Sequence, residues 1–146
     1  MARYGAVRRS ITPSLTTDNF TLVTGATESG RILEITWGGE VTTSTLMNTR
    51  IARSSGQAGA ETLGSVAKLH PNHVANVISF VTSFATTQPT LDGGDLYSTS
   101  WNAHGGVVRW LAAPGEEFIL LSSANISCRN ATGTALSTYG VVWEED

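Results

Sequence analysis

An all-β fold, a single jelly-roll-like sandwich or barrel of about eight to ten short antiparallel strands, is what this sequence predicts. Three observations carry the prediction. Charged residues are only 14% of the chain, against roughly 25% in an average soluble domain. The missing charge is replaced by Ser, Thr, Gly and Asn, which suit strands and turns better than solvated helix faces. Almost every apolar run is short, alternates, and is closed by Gly, Pro or Asn, the pattern of a sandwich or barrel. At 146 residues the chain has the length of one domain with one core.

The elements follow in order. Tyr4 to Arg9 reads as a first strand at the end of an N-terminal arm of about residues 1–12, stopped by Pro13. Phe20 to Thr24 is a second strand. Arg31 to Trp37 is a third, ending at Gly38-Gly39. Leu46 to Ser54 is a fourth, with Met47, Thr49 and Ile51 on one face and Asn48, Arg50 and Ala52 on the other. Asn76 to Phe84, Leu96 to Trp101, Val107 to Leu111, Phe118 to Ser122, Ile126 to Arg129 and Leu136 to Trp143 complete the set. Residues 54–75, rich in Gly and Ala, break the rhythm and read as a long loop carrying a helical turn or two within Ala60 to Leu69, ended by Pro71. Long loops in compact domains tend to be functional.

The stretch Leu22 to Leu33, LVTGATESGRIL, has the glycine frame of a phosphate-binding loop. Such a loop needs Lys and then Ser or Thr after its second glycine, and a helix to follow. Arg31 and Ile32 stand there instead, and a β-branched, aromatic strand follows. The expectation is a hairpin loop whose glycines, Gly25 and Gly30, supply positive φ.

Other chemical candidates reduce to structure. His70 and His73 are separated by Pro71, which breaks helical metal-ligand spacing, and no third ligand lies in the segment. No metal or cofactor is expected. Asp92-Gly93-Gly94-Asp95 and Pro114-Gly115-Glu116-Glu117 read as turns, as does His104 beside Gly105-Gly106. No Gly-x-Ser-x-Gly elbow or Ser/His/Asp set stands out, so no enzyme is expected. Cys128 alternates like a buried strand residue. Asn125-Ile126-Ser127 and Asn130-Ala131-Thr132 match the glycosylation pattern by chance, since no secretion signal is evident. A net charge of −3 argues against a nucleic-acid partner, and no run is long enough for a membrane span. The tryptophans Trp37, Trp101, Trp110 and Trp143 sit on strands as core residues, with a carbohydrate-binding module as the alternative if rings such as Trp37 and Trp101 stack on sugars.

The order of Met1-Ala2-Arg3-Tyr4, Asp18-Asn19-Phe20, Val108-Arg109-Trp110-Leu111-Ala112-Ala113-Pro114-Gly115-Glu116-Glu117-Phe118 and the ending Val141-Val142-Trp143-Glu144-Glu145 resembles the small β-rich virion proteins encoded beside the head genes of tailed bacteriophages. The resemblance spans nearly the full length. It implies a capsid decoration (cement) protein in the virion, made in the host cytoplasm. Its partners would be the major capsid protein and itself, as a homotrimer at three-fold or quasi-three-fold positions. A tail, fibre or adsorption component is the alternative within the same class. Arg3, Tyr4, Arg8 and Arg9 are the expected capsid or intersubunit contacts, with the 54–75 excursion as a second contact.

Overall fold

The computed structural model describes residues 1–146 as twelve strands: β1 (Ala2–Ile11), β2 (Phe20–Val23), β3 (Gly30–Gly39), β4 (Leu46–Ser55), β5 (Glu61–Leu63), β6 (Val66–Lys68), β7 (Ser79–Phe84), β8 (Thr90–Asn102), β9 (Val107–Leu111), β10 (Phe118–Leu120), β11 (Asn125–Thr132) and β12 (Ser137–Glu145). The ten expected strands are all present. Two antiparallel sheets face each other, in the orders β10-β3-β12-β1-β6, with β9 also on β3, and β5-β7-β2-β11-β4-β8. With β5, β6, β7 and β10 set aside, the orders become β1-β12-β3-β9 and β2-β11-β4-β8. The chain changes sheet at each step from β1 to β4, which is the winding of a jelly roll.

Between the sheets lies one core, built from alternate residues such as Tyr4, Ile35, Trp37, Ile51, Phe80 and Trp143. The reason is the period of two: each strand turns its apolar set inward and its Thr, Ser, Arg and Glu outward. A polar hub sits inside this core. The Asn130 Oδ1 accepts hydrogen bonds from Asn19 Nδ2 at 3.0 Å, the Thr49 hydroxyl at 2.9 Å and the Tyr139 hydroxyl at 3.1 Å. Trp101 Nε1 donates to the Thr49 oxygen at 3.0 Å. Residues from β4, β8, β11 and β12 therefore meet in one network that joins the two sheets. Behind the second sheet, buried Asp18 accepts from Thr21 at 2.6 Å, Ser127 at 2.5 Å and Arg129 at 2.7 Å.

Four expectations are corrected. Residues 1–12 are no arm: β1 lies between β12 and β6 and contributes Tyr4 and Ala6 to the core. The 54–75 excursion holds no helix. Its two short strands extend opposite sheets, β5 on β7 and β6 on β1, since a helix this short is marginal and free sheet edges were available to pair with it. Gly64, at that crossing, must be glycine, because a Cβ would lie 2.5 Å from the Phe80 ring.

The Gly25–Gly30 loop joins β2 of one sheet to β3 of the other, so it is not a hairpin. Neither glycine has positive φ; Gly30 is needed for space, as a Cβ would stand 2.5 Å from the Glu144 carbonyl oxygen. Asp92 to Asp95 is not a turn either. It bulges from within β8, where Leu91 to Tyr97 face the shorter span Ile51 to Ser54, and Asp95 pairs with Arg50 at 2.6 Å.

The hub gives a prediction. Asn130→Ala removes the shared acceptor and strands three buried donors, so urea unfolding should show a loss of about 3 kcal/mol. Tyr139→Phe removes one donor with its hydrogen bond and should cost only about 1 kcal/mol.

Candidate docking face

Alternation along β1 divides the four expected contact residues. Tyr4 is fully buried, its ring tilted against that of Trp143 with centroids 5.9 Å apart, and its hydroxyl donates to the Val74 carbonyl at 2.9 Å. Burial pushes its phenol above the ordinary tyrosine value. Arg8 is half-buried and donates to the carbonyls of Asp18, Asn19 and Thr82 at 3.2, 2.9 and 3.2 Å; burial pulls its pKa down. These two hold the fold and are not free for a partner. Arg3 and Arg9 point outward. The period of two that revealed the strand already separated them, so this division was legible in the sequence.

Arg3 and Arg9 lie on the outer face of the first sheet, where side chains form cross-strand rows. One row reads Arg3, Glu144, Arg31, Ile119. The next reads Ala67, Gly5, Val142, Glu34, Leu111, and the third reads Val7, Gly140, Thr36, Arg109. Glu144 accepts from Arg3 at 2.6 Å and from Arg31 at 2.6 and 3.0 Å, and Glu34 takes a two-pronged contact from Arg109 at 2.7 and 3.0 Å. Arg9 has no carboxylate partner.

Among these charges the face is apolar. Val7, Leu69, Val107 and Leu111 are each more than half exposed. A shallow trough of about 560 Å³ runs across Gly5 and Gly140, walled by Val7, Val142 and Leu69 with Arg9 and Thr36 at its margin. The Leu69 side chain comes from the chain just after β6, a wall that sequence reading placed only loosely within the 54–75 excursion. The second sheet's outer face differs. Around β4 and β8 it is polar and self-paired, with Asn48 donating to Ser100 at 3.1 Å and Arg50 to Asp95 at 2.8 Å.

The remaining chemical candidates are engaged in structure. His73 Nδ1 accepts the Arg3 backbone N–H at 3.1 Å and His70 Nδ1 accepts that of Asn72 at 3.3 Å. Metal-bound histidines donate through the second ring nitrogen instead. No group of three or more His, Cys, Asp or Glu side chains comes together. Glu145 accepts from the Val77 and Ile78 backbone N–H groups and the Trp143 indole at 2.9 to 3.0 Å. Cys128 is fully buried, and burial raises its thiol pKa far above the ordinary range. Asn125 and Asn130 are buried and hydrogen-bonded, so neither presents a glycosylation acceptor. Trp37, Trp101 and Trp143 are core residues, which removes the two rings named for sugar stacking. Trp110 is half-buried and stacks on Phe118 at 4.1 Å.

No family model, curated protein or solved structure matches this chain.

The ion pairs fix a pH response. Hydrogen bonds from Arg3 first, and also from Arg31, hold Glu144 below the ordinary glutamate value of 4.5. A lowered folded pKa means the carboxylate binds protons more weakly folded than unfolded. Its stabilisation is therefore full above about pH 4.5 and is lost as the pH falls through the lowered value. Urea midpoints should drop between about pH 5 and about pH 3, and Glu144→Gln should make that drop smaller.

Proposed function

We propose that this chain is a non-enzymatic structural subunit of a tailed-phage virion. In this reading it is a decoration protein that seats on the major capsid protein through the outer face of its first sheet and assembles as a homotrimer. The observation that carries the reading is that face: exposed Val7, Leu69, Val107 and Leu111 set among ion pairs already closed within the face. A patch of this kind marks a protein contact, and satisfied pairs enter an interface without stranding a charge. The jelly-roll winding is one that viral capsid domains use, and the face includes parts of β1, β9 and β12 that lie in stretches carrying the virion resemblance. Binding only the assembled lattice would stabilise that lattice by mass action.

Removing residues 2–9 does not test this, because β1 is an interior strand and the fold would go with it. Substitution of outward side chains does. Native mass by light scattering, followed by co-sedimentation with capsids lacking the protein, should give a trimer that binds. Val7→Glu and Arg9→Glu should each keep the fold and weaken capsid binding about tenfold or more. A monomer that ignores capsids would remove the reading, and binding to tails instead would move the protein to the fibre or adsorption class.

A further inference from the structure

Residues 69–78 run from β6 to β7 as a strap over the ends of β1 and β12. Five contacts fasten it. The Leu69 N–H donates to the Arg3 carbonyl at 3.0 Å, and the Tyr4 hydroxyl to the Val74 carbonyl at 2.9 Å. The Val77 and Ile78 N–H groups donate to the Glu145 carboxylate at 3.0 and 2.9 Å. In the fifth contact the Arg3 N–H of β1 donates to a side chain of the strap, His73 Nδ1, at 3.1 Å. That bond exists only while the Nδ1 lone pair is free, so this one of the five contacts requires a neutral imidazole at 73.

We propose that the strap is an acid-sensitive clasp, closed by the Arg3 to His73 hydrogen bond and loosened when His73 takes a proton. Protonation places an N–H on Nδ1 facing the Arg3 N–H, so two donors meet. The nearest alternative acceptor is the Arg3 carbonyl, 3.5 Å away and already holding the Leu69 N–H. His70 adds to the effect, since its ring centroid lies 5.1 Å from that of His73 and its Nδ1 also accepts a backbone N–H. Two imidazolium rings there would repel each other and break both bonds.

The groups facing His73 oppose one another only in part. From β1 come the Arg3 guanidinium, beside it in one cleft, and the Tyr4 ring, 6.3 Å away. From β12 come Glu144 in that cleft and, with Asp146 just beyond it, Glu145 in the cleft on the other side. The Met1 end of the chain lines both clefts. The acids would draw an imidazolium, but each is already engaged: Glu144 with Arg3 and Arg31, Glu145 with the strap N–H groups, Asp146 with the Ser29 hydroxyl at 2.9 Å. The clasp uses the Nδ1 lone pair of His73, so it is closed where that ring is neutral and loosened where it is protonated. Because the strap begins at Leu69, which walls the trough, its loosening would also free one side of that trough; the clasp itself stands without the docking reading.

The test is amide hydrogen exchange on the whole protein at about pH 7.5 and about pH 5, either side of the imidazole range. Protection factors of Val77 and Ile78 are compared with Ile126 of β11 as the internal reference. Protection at the strap should fall by about three- to tenfold, the factor that one lost hydrogen bond supports, while Ile126 stays constant. His73→Asn places an amide oxygen where Nδ1 stood, accepts the Arg3 N–H at either pH, and should make the strap indifferent to pH. In the unmodified protein, nitrogen NMR of the His73 ring should show the loss of protection tracking its protonation. Strap protection that does not change with pH, that still falls in His73→Asn, or that follows a midpoint other than that of His73 would overturn the proposal.

Discussion

At the centre of the core the two sheets are tied together by one side-chain amide. Asn130 Oδ1 collects donors from β4 and from the segment before β2 in its own sheet, and from Tyr139 of β12 in the other, so sliding one sheet over the other would break the buried bond to Tyr139. Apolar packing alone does not impose this, since Leu, Ile and Phe tolerate small shifts in their contacts. The consequence reaches the surface. β12 is flanked by β1 and β3, and its side chains alternate. Fixing Tyr139 inward fixes Thr138, Gly140, Val142 and Glu144 outward, and with them the rows of the docking face.

The scarcity of charge has a matching explanation. Glu34, Glu144, Asp18 and Asp95 are each committed to an arginine, and Glu145 to backbone N–H groups. The remaining acids, such as Glu40, Glu61, Asp92 and Glu116, lie exposed outside these pairs. An antiparallel sheet with one side on a core normally turns a polar side to water. The second sheet obeys this around β4 and β8 through Asn48, Ser98, Ser100 and Arg50. The first sheet sets exposed Val7, Val107 and Leu111 among its ion pairs, and that mixture distinguishes the two outer faces.

Strand positions were legible because the period of two is local: it needs only neighbouring residues. The same period separated Tyr4 and Arg8 from Arg3 and Arg9. What sequence could not carry were partners distant along the chain. Asn130 stood out in the sequence only through a chance glycosylation pattern, yet its hydrogen-bond partners include Asn19 and Thr49, and no local pattern announces such contacts. The β5 and β6 segments were missed for a related reason. Three-residue runs lack a period, and their conformation comes from the free edges of β7 and β1. At Asp92 to Asp95 the Gly pair signalled a departure from regular backbone, but only the β4 register distinguishes a bulge from a turn.

Gly5 then presents an energetic question. Glycine inside a strand weakens it, because it loses more freedom on folding and offers no side chain to pack. Elsewhere the fold demands its glycines: Gly30 by a backbone oxygen, Gly64 by a ring. At Gly5 a Cβ would meet its nearest neighbour, Leu69 Cδ2, at 3.5 Å, an ordinary contact, and the φ there is not positive. Alanine would fit the monomer and should stabilise it slightly. Folding therefore gives no reason for glycine at this position. Gly5 keeps the trough floor low beside Val7 and Val142, and a floor without side chains admits the close approach of another chain. In the docking proposed above, that cost to the free chain would be offset when a partner lies against this face.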